Sequence, residues 1–293
     1  MITLGDKNYQ FFLSSGMMGF DGRGATIAHR ILYDLLKLLN LYDPNLFAIV
    51  TKTITRYPRK GPKKIRPIKN GWWNNFGLDN TGLLQFISKY QKKIYKDKNL
   101  ILSIAGKEKE QLRVMLIELE SRLPNILAFE YNASCPNDII IGEEETIRNC
   151  ETIRSLVNTP LIVKVGHANS HYMKIAKKTE GLVQAISINS VPALIGGARS
   201  GKTAQEINWR ILKELADTVS TPIIAPSIWE YEDIGKTLAM GARAISFGSV
   251  SMIHPKRPWG PVLPTLWARR YSKEQNRKDW EMKACARSNA RSK

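Results

Sequence analysis

The stretch EYNASCPND, residues 130–138, sets the carboxamides of Asn132 and Asn137 on either side of Cys135, one of only three cysteines in the chain. A carboxamide both donates and accepts, so a pair of them can orient a planar ligand by its edge. A thiol becomes a proton acceptor near neutral pH only where positive charge or amide dipoles stabilise its thiolate. A lone cysteine after a strand is most often inert packing, but these flanking amides and Pro136 set Cys135 apart. Other apolar runs end in residues of the same kind: Ser14 and Ser15, Lys52, Lys164, Asn189 with Ser190, and Gly248 with Ser249. Gathered at one mouth, such a set suits a planar, anionic, hydrogen-bonding ligand better than a sugar or a lipid.

The elements that must gather them are legible as alternation. Strand-length apolar runs occupy 9–15, 46–53, 100–106, 126–134, 160–166, 183–189, 221–227 and 242–249, and segments of helical period fill 107–123, 145–157, 170–179, 204–219 and 231–241. Eight strands alternating with helices predict an α/β fold, a single-domain (β/α)8 TIM barrel with its site at the carboxyl ends of the strands. An open doubly wound sheet is the alternative, weakened by the lack of a G-x-G-x-x-G after any early strand. We expect the barrel to span residues 1–267 and a basic tail to follow over 268–293.

With 293 residues and 43% hydrophobic content, the chain can bury one large core. It contains no uncharged apolar run of about 18 residues and no signal-peptide pattern, so a soluble, cytoplasmic protein is expected. Cys135, Cys150 and Cys285 are odd in number and form no C-x-x-C pair, which argues against disulfides and zinc. Cys150, in a helical segment, reads as packing; His167 and His254 lack partners at ligand spacing and read as loop residues, so no metal site is expected. The formal net charge is +18, and RYPRKGPKKIRPIK (56–69) carries seven cations and no acid. Such a face is first a solvated surface and second an attractor of polyanions.

In order and spacing, FFLSSGMMGFDGRG (11–24), TKTIT (51–55), NNFGLDNTG (74–82), YNASCPN (131–137), IVKVG (162–166), INS (188–190), GGARSG (196–201) and GARAISFGS (241–249) resemble the dihydroorotate dehydrogenases, FMN-dependent barrels of pyrimidine biosynthesis. The resemblance implies that Asn74, Asn132, Asn137, Asn189 and Ser190 hold the pyrimidine ring and carboxylate of dihydroorotate, with the backbone of Phe76, Gly77 and Leu78 approaching the carboxylate. Lys52 would lie between flavin and substrate, and Lys164 near the flavin N1 end. Ser14, Ser15, Asn132, Ser200, Gly201, Gly248 and Ser249 would line the rest of the flavin. Cys135 would be the base that removes the C5 proton, as in the soluble members of the family; the membrane-attached ones use serine.

Three features depart from the family pattern, one of them the tail beyond Trp267, which is basic and unlike a usual closing helix. APSIW (225–229) puts Pro226 and Ser227 where a glycine pair usually meets the flavin phosphate, so one amide is lost and the Ser227 hydroxyl is left to compensate. The loop DIIIGEEE (138–145) matches no expected substrate-covering loop. The resemblance leaves the electron acceptor open. Fumarate would imply a homodimer; NAD would imply a partner subunit carrying an iron–sulfur cluster and a second flavin. Dihydrouridine synthases, flavin barrels acting on tRNA, share an Asn-x-x-Cys-Pro element and are the alternative enzyme class. A barrel that has lost its flavin and binds an acidic partner is the non-enzymatic one.

Overall fold

The structure, a computed structural model, describes residues 1–94, 99–135, 141–194 and 196–291. The chain opens with a hairpin, β1 (Ile2–Leu4) and β2 (Lys7–Tyr9), then enters β3 (Phe11–Leu13), α1 (Ile27–Leu38) and β4 (Ala48–Val50). An excursion of β5 (Lys64–Ile68) and β6 (Gly71–Asn75) precedes α2 (Gly82–Ile94), β7 (Leu100–Ile104), α3 (Lys109–Arg122), β8 (Ala128–Asn132) and α4 (Glu143–Leu156). There follow β9 (Leu161–Val165), α5 (Tyr172–Lys178), β10 (Ala185–Ile188), a second excursion of β11 (Val191–Pro192) and β12 (Ala198–Gly201), and α6 (Gln205–Ala216). The chain ends with β13 (Ile223–Ala225), α7 (Glu232–Ala239), β14 (Ala244–Phe247) and α8 (Val262–Arg291).

Strands β3, β4, β7, β8, β9, β10, β13 and β14 pair in parallel and close into a barrel, which excludes the open doubly wound sheet. Each of the eight apolar runs read from the sequence contains one of these strands. Their two-residue period divides the core in two. Phe12, Val50, Ile101, Ala128, Ile162, Ala185, Ile224 and Ala244 face inward, and Ile2, Leu4 and Tyr9 of the hairpin join them to plug the amino-terminal end. Phe11, Leu13, Ile49 and Phe129 belong to the outer cluster, packed under the helices.

Three features went beyond the sequence expectations. Helices α1 and α2 were not among the helical segments. The excursions β5, β6, β11 and β12 form an antiparallel sheet of order β11-β12-β6-β5. Its exposed edge β5 comes from the basic stretch, and Lys64, Arg66 and Pro67 blunt that edge against further pairing. The expected boundary at 267/268 falls within α8, one continuous helix. Leu263, Trp267, Ala268 and Tyr271 recur at helical spacing and join the outer core, with Tyr271 edge-on to Phe11 at 5.6 Å, so α8 does close the barrel. Among the described residues no helix is long and apolar enough to cross a membrane.

Candidate functional site

Continuing the inward alternation toward the carboxyl ends changes its chemistry. Phe12 leads to Ser14, Val50 to Lys52, Ile101 to Ser103, Ala128 to Glu130 and Asn132, Ile162 to Lys164, Ala185 to Ser187 and Asn189, and Ala244 to Ser246 and Gly248. Apolar layers fill the lower barrel and a polar layer floors a cavity of about 680 Å³ above it.

Hydrogen bonds join most of this polar floor into one network, with Ser14 and Ser246 a separate pair. Thr53 Oγ1 lies 2.8 Å from Ser103 Oγ and accepts from Asn132 Nδ2 at 3.2 Å. Ser103 Oγ donates to Glu130 Oε1 at 3.0 Å, and Lys164 Nζ reaches the same oxygen at 3.0 Å. Glu130 and Lys164 are only 2% and 7% exposed, so a buried cation and a buried anion neutralise each other on adjacent strands. Asn189 Nδ2 donates to Ser134 O at 3.0 Å and to Asn132 Oδ1 at 3.4 Å, and Asn189 Oδ1 accepts from Ser190 N at 2.8 Å. Ser14 Oγ meets Ser246 Oγ at 2.6 Å, and Ser15 Oγ donates to Thr51 O at 2.8 Å.

Loops form the roof. Lys52 Nζ lies 5.2 Å and 5.3 Å from the ring centroids of Phe20 and Phe76, and 3.7 Å from Asp79 Oδ2. Its pKa lies below the usual lysine value, lowered first by burial and also by the neighbouring Lys63 charge, against the opposing pull of the Asp79 carboxylate. Asp79 also holds Lys63 of the basic stretch at 3.2 Å. The turn carrying Phe76 and Leu78 is pinned by Asn80, whose Nδ2 donates to Leu78 O at 2.7 Å and whose Oδ1 accepts from Gly82 N at 2.8 Å. Leu78 is held at φ +52°, a left-handed conformation that a branched side chain adopts only under such constraint. Cys135, 8% exposed, packs against Leu78 and Ala105.

The β13–β14 side is built from hydroxyls. Ser249 Oγ donates to Ser200 Oγ at 2.6 Å, and Asn208 Nδ2 donates to Ser227 Oγ at 2.9 Å. Ser227 has φ +64°, so serine keeps a backbone conformation that ordinarily favours glycine. The amides of Trp229 and Glu230 are taken by Asp233 Oδ2 at 2.9 and 2.8 Å.

Of the residues singled out in the sequence, Ser14, Ser15, Lys52, Asn74, Phe76 and Leu78 line the cavity, as do Asn132, Cys135, Lys164, Asn189 and Ser190. On the β13–β14 side Ser200, Gly201, Ser227, Gly248 and Ser249 line it too. Gly77 sits in the pinned turn at φ +58° but is not part of the wall. Pro136 and Asn137 lie outside the described residues, as do Asp138, Ile139 and Ile140 of DIIIGEEE, whose Glu143, Glu144 and Glu145 open α4. Sequence reasoning passed over Glu130, although a carboxylate at an inward position between Ala128 and Asn132 was a signal in itself. It also passed over Trp72 and Asn208. Both are buried in the cavity wall, and Trp72 Nε1 and Asn208 Oδ1 have no hydrogen-bond partner among the described residues.

His254 is structural: it is 3% exposed, its Nδ1 accepts from Lys256 N, and its ring stands edge-on between Trp72 and Trp229. No cluster of metal-ligating side chains occurs among the described residues. Cys135 and Cys150 are buried, Cys285 is exposed, and none is in a disulfide. Burial pushes the Cys150 thiol up to about 12, which keeps it inert.

A cavity of this size, with lysines at one side, hydroxyls at another and an orphaned donor and acceptor in its wall, fits FMN together with a small planar acid.

A family profile described as dihydroorotate dehydrogenase matches residues 36–165. The chain is similar to the "Dihydroorotate dehydrogenase B (NAD(+)), catalytic subunit" of Carboxydothermus hydrogenoformans, 31% identical over 249 residues that cover 75% of this chain and 80% of that protein. The protein of the same name from Fusobacterium nucleatum is 27% identical over 246 residues, covering 75% and 81%. Among solved structures, DHODH from Eimeria tenella in complex with ferulenol superposes with a TM-score of 0.67 over 90% of this chain and 84% of that chain, at 14% identity. At that identity the likeness shows the shared barrel fold.

Proposed function

The chain belongs to the dihydroorotate dehydrogenase family, whose members oxidise dihydroorotate to orotate with FMN in pyrimidine biosynthesis, and from that premise we propose how its own residues carry out the reaction. The observation that carries the reading is the position of Cys135: a thiol in the wall of a cavity that also gathers Asn74, Asn132, Asn189, Lys52 and Lys164.

The carboxamides of Asn74, Asn132 and Asn189, with Asn137, hold the edge of the pyrimidine ring, and Ser190 supports them. Because Asn132 and Asn189 are already hydrogen-bonded to each other, Asn132 also to Thr53 and Asn189 also to Ser134, they are oriented before the ligand arrives. Lys52 supplies positive charge between substrate and cofactor, and the backbone from Phe76 to Leu78 borders the carboxylate. Cys135 Sγ, as thiolate, takes the C5 proton while a hydride leaves C6. FMN, when bound, supplies the acceptor for that hydride. Leu78 and Ala105 pack against Cys135 and keep bulk water from the thiolate. Lys164, fixed by Glu130, faces the cofactor's ring, and Ser14 and Ser15 line the same side.

The Asn-x-x-Cys-Pro element shared with dihydrouridine synthases belongs here to a dihydroorotate dehydrogenase. Relatives named as NAD(+)-linked catalytic subunits favour NAD as final acceptor, reached through a partner subunit with an iron–sulfur cluster and a second flavin, over fumarate and a self-sufficient homodimer. A cytoplasmic location is part of the same reading.

An anaerobic visible spectrum of the purified protein, recorded before and after adding dihydroorotate, tests this function. Bleaching of a flavin band is the expected result; a persistent band, or none, rejects it. Cys135→Ala should keep the band and lose about 10²–10⁴-fold in its bleaching rate, the range for loss of a positioned base. An unimpaired rate removes Cys135 from the mechanism.

A further inference from the structure

The β13–β14 side of the cavity, which the FMN reading gives to the phosphate, differs from the rest in charge. Among the described residues its wall there consists of Trp72, Ser200, Asn208, Ser227, Gly248 and Ser249 with their neighbours, and it contains no lysine or arginine. Pro226 offers no N–H, and the amides of Trp229 and Glu230 are consumed by Asp233. With those three amides removed, a dianionic group seated here must draw on side-chain protons as well as on the amides that remain.

Counting those protons identifies the holders. Ser200 Oγ accepts the proton of Ser249 and keeps its own to donate; Ser227 Oγ accepts from Asn208 and does the same. Trp72 is cross-strand partner to Ser200 in the β6–β12 pair, so both side chains leave the sheet on one face. Trp72 is 9% exposed and its Nε1–H has no partner among the described residues. An indole is a donor only, and a buried donor left unpaired is costly unless a ligand answers it. Its ring is set by edge-on contact with His254 at 5.5 Å, which in turn hydrogen-bonds Ile68 O. Asn208 Oδ1, the orphaned acceptor on the same side, suits a hydroxyl on the chain that leads to the phosphate.

We infer that Trp72 is a phosphate ligand: its indole N–H, together with the Ser200 and Ser227 hydroxyls, holds the terminal phosphate of FMN, and this chain distinguishes FMN from riboflavin by side-chain donors in place of the amide lost at Pro226. The inference rests on FMN being the cofactor, as proposed above.

Flavin-depleted protein is titrated with FMN and with riboflavin, following flavin fluorescence, for the wild type, Trp72→Phe and Ser200→Ala. Trp72→Phe keeps a ring against His254 and should weaken FMN about ten-fold, the loss of one charge-assisted hydrogen bond, while riboflavin changes less than about two-fold. The ³¹P resonance of bound FMN should also move. Equal weakening of both flavins, or of neither, overturns the inference, because Trp72 then only packs. Ser200→Ala must show the same selectivity on a smaller scale, and a Trp72→Phe protein that fails to fold leaves that variant to decide. A wild type that binds neither flavin defeats the cofactor reading itself, whereas binding without selectivity defeats only the role of Trp72.

Discussion

The floor and the roof of the cavity each hold a lysine, and the two are treated differently. Lys164 rises from β9 beside β8, and its counter-charge Glu130 lies one strand away at 3.0 Å, both nearly inaccessible to solvent. Lys52 sits just past β4 among loops, its side chain 24% exposed, between two aromatic rings and 3.7 Å from a carboxylate that it shares with Lys63. The floor charge is compensated within the barrel before any ligand binds, so it contributes a fixed field. The roof charge is held loosely by a turn and a hairpin, and an anionic ligand can compete with Asp79 for it. A barrel thus sets its permanent electrostatics with strands and its adjustable electrostatics with loops.

The largest effect should come from breaking the floor. Glu130→Gln leaves Lys164 buried with no counter-charge, and removal of one partner of a buried pair typically costs about 3–5 kcal/mol. Urea denaturation of the ligand-free protein should show that loss, with the midpoint falling and the slope unchanged. A loss under about 1 kcal/mol would mean that water reaches the pair, and the distinction between floor and roof would fail.

How much of this could be read beforehand follows from the kind of signal each part carries. The eight barrel strands are short, mostly apolar and bounded by polar loops, so periodicity alone exposes them. Helices α4, α6 and α7 show one apolar face, and α3 is betrayed by its length and lack of glycine and proline. Helix α1 was legible and was passed over: Ile27, Ile31, Leu35 and Leu38 recur at helical spacing against a polar stripe of Arg30, Asp34 and Lys37, although that apolar stripe is exposed in the fold. Strands β5 and β6 hid because KIRPI is basic and contains proline, the composition of an edge rather than of a core strand. At the site, Cys135 and its flanking amides were visible as a motif, and Lys52 and Lys164 as strand-end charges. The Glu130 pairing needs the register of β8 against β9, and the orphaned Trp72 donor needs the β6–β12 sheet, which no local pattern announces.

A smaller effect should separate the two lysines by pH. Burial lowers the Lys52 pKa, so the protonated form is lost at a lower pH than for an ordinary lysine. An anionic ligand favours that form, and its affinity should therefore hold through neutral pH and decline on the alkaline side, beginning below the usual lysine range. For stability the sign is the reverse: folding releases this proton, so the unfolded chain binds more protons between the two pKa values and stability rises with pH there. Orotate binding, read from the flavin spectrum as a function of pH, should lose this alkaline limb in Lys52→Met. A limb that persists in that variant belongs to another group and removes the case for an adjustable roof charge.

The smallest effect should come from the roof carboxylate. Asp79→Asn deletes a partner of two partly exposed lysines, and exposed ion pairs contribute about 0–1 kcal/mol, so the urea midpoint should barely move. Because Asp79 competes with the ligand for Lys52, the same substitution should leave orotate affinity equal or slightly higher, and the alkaline limb should begin at a still lower pH once the carboxylate that raises the Lys52 pKa is gone. The three effects then order themselves by burial: a large stability loss at Glu130, a pH-dependent ligand affinity at Lys52 and a near-zero stability change at Asp79. If Asp79→Asn instead destabilises the fold as much as Glu130→Gln, the turn from Phe76 to Asn80 is as much a part of the rigid frame as the strands beneath it, and the roof does not adjust.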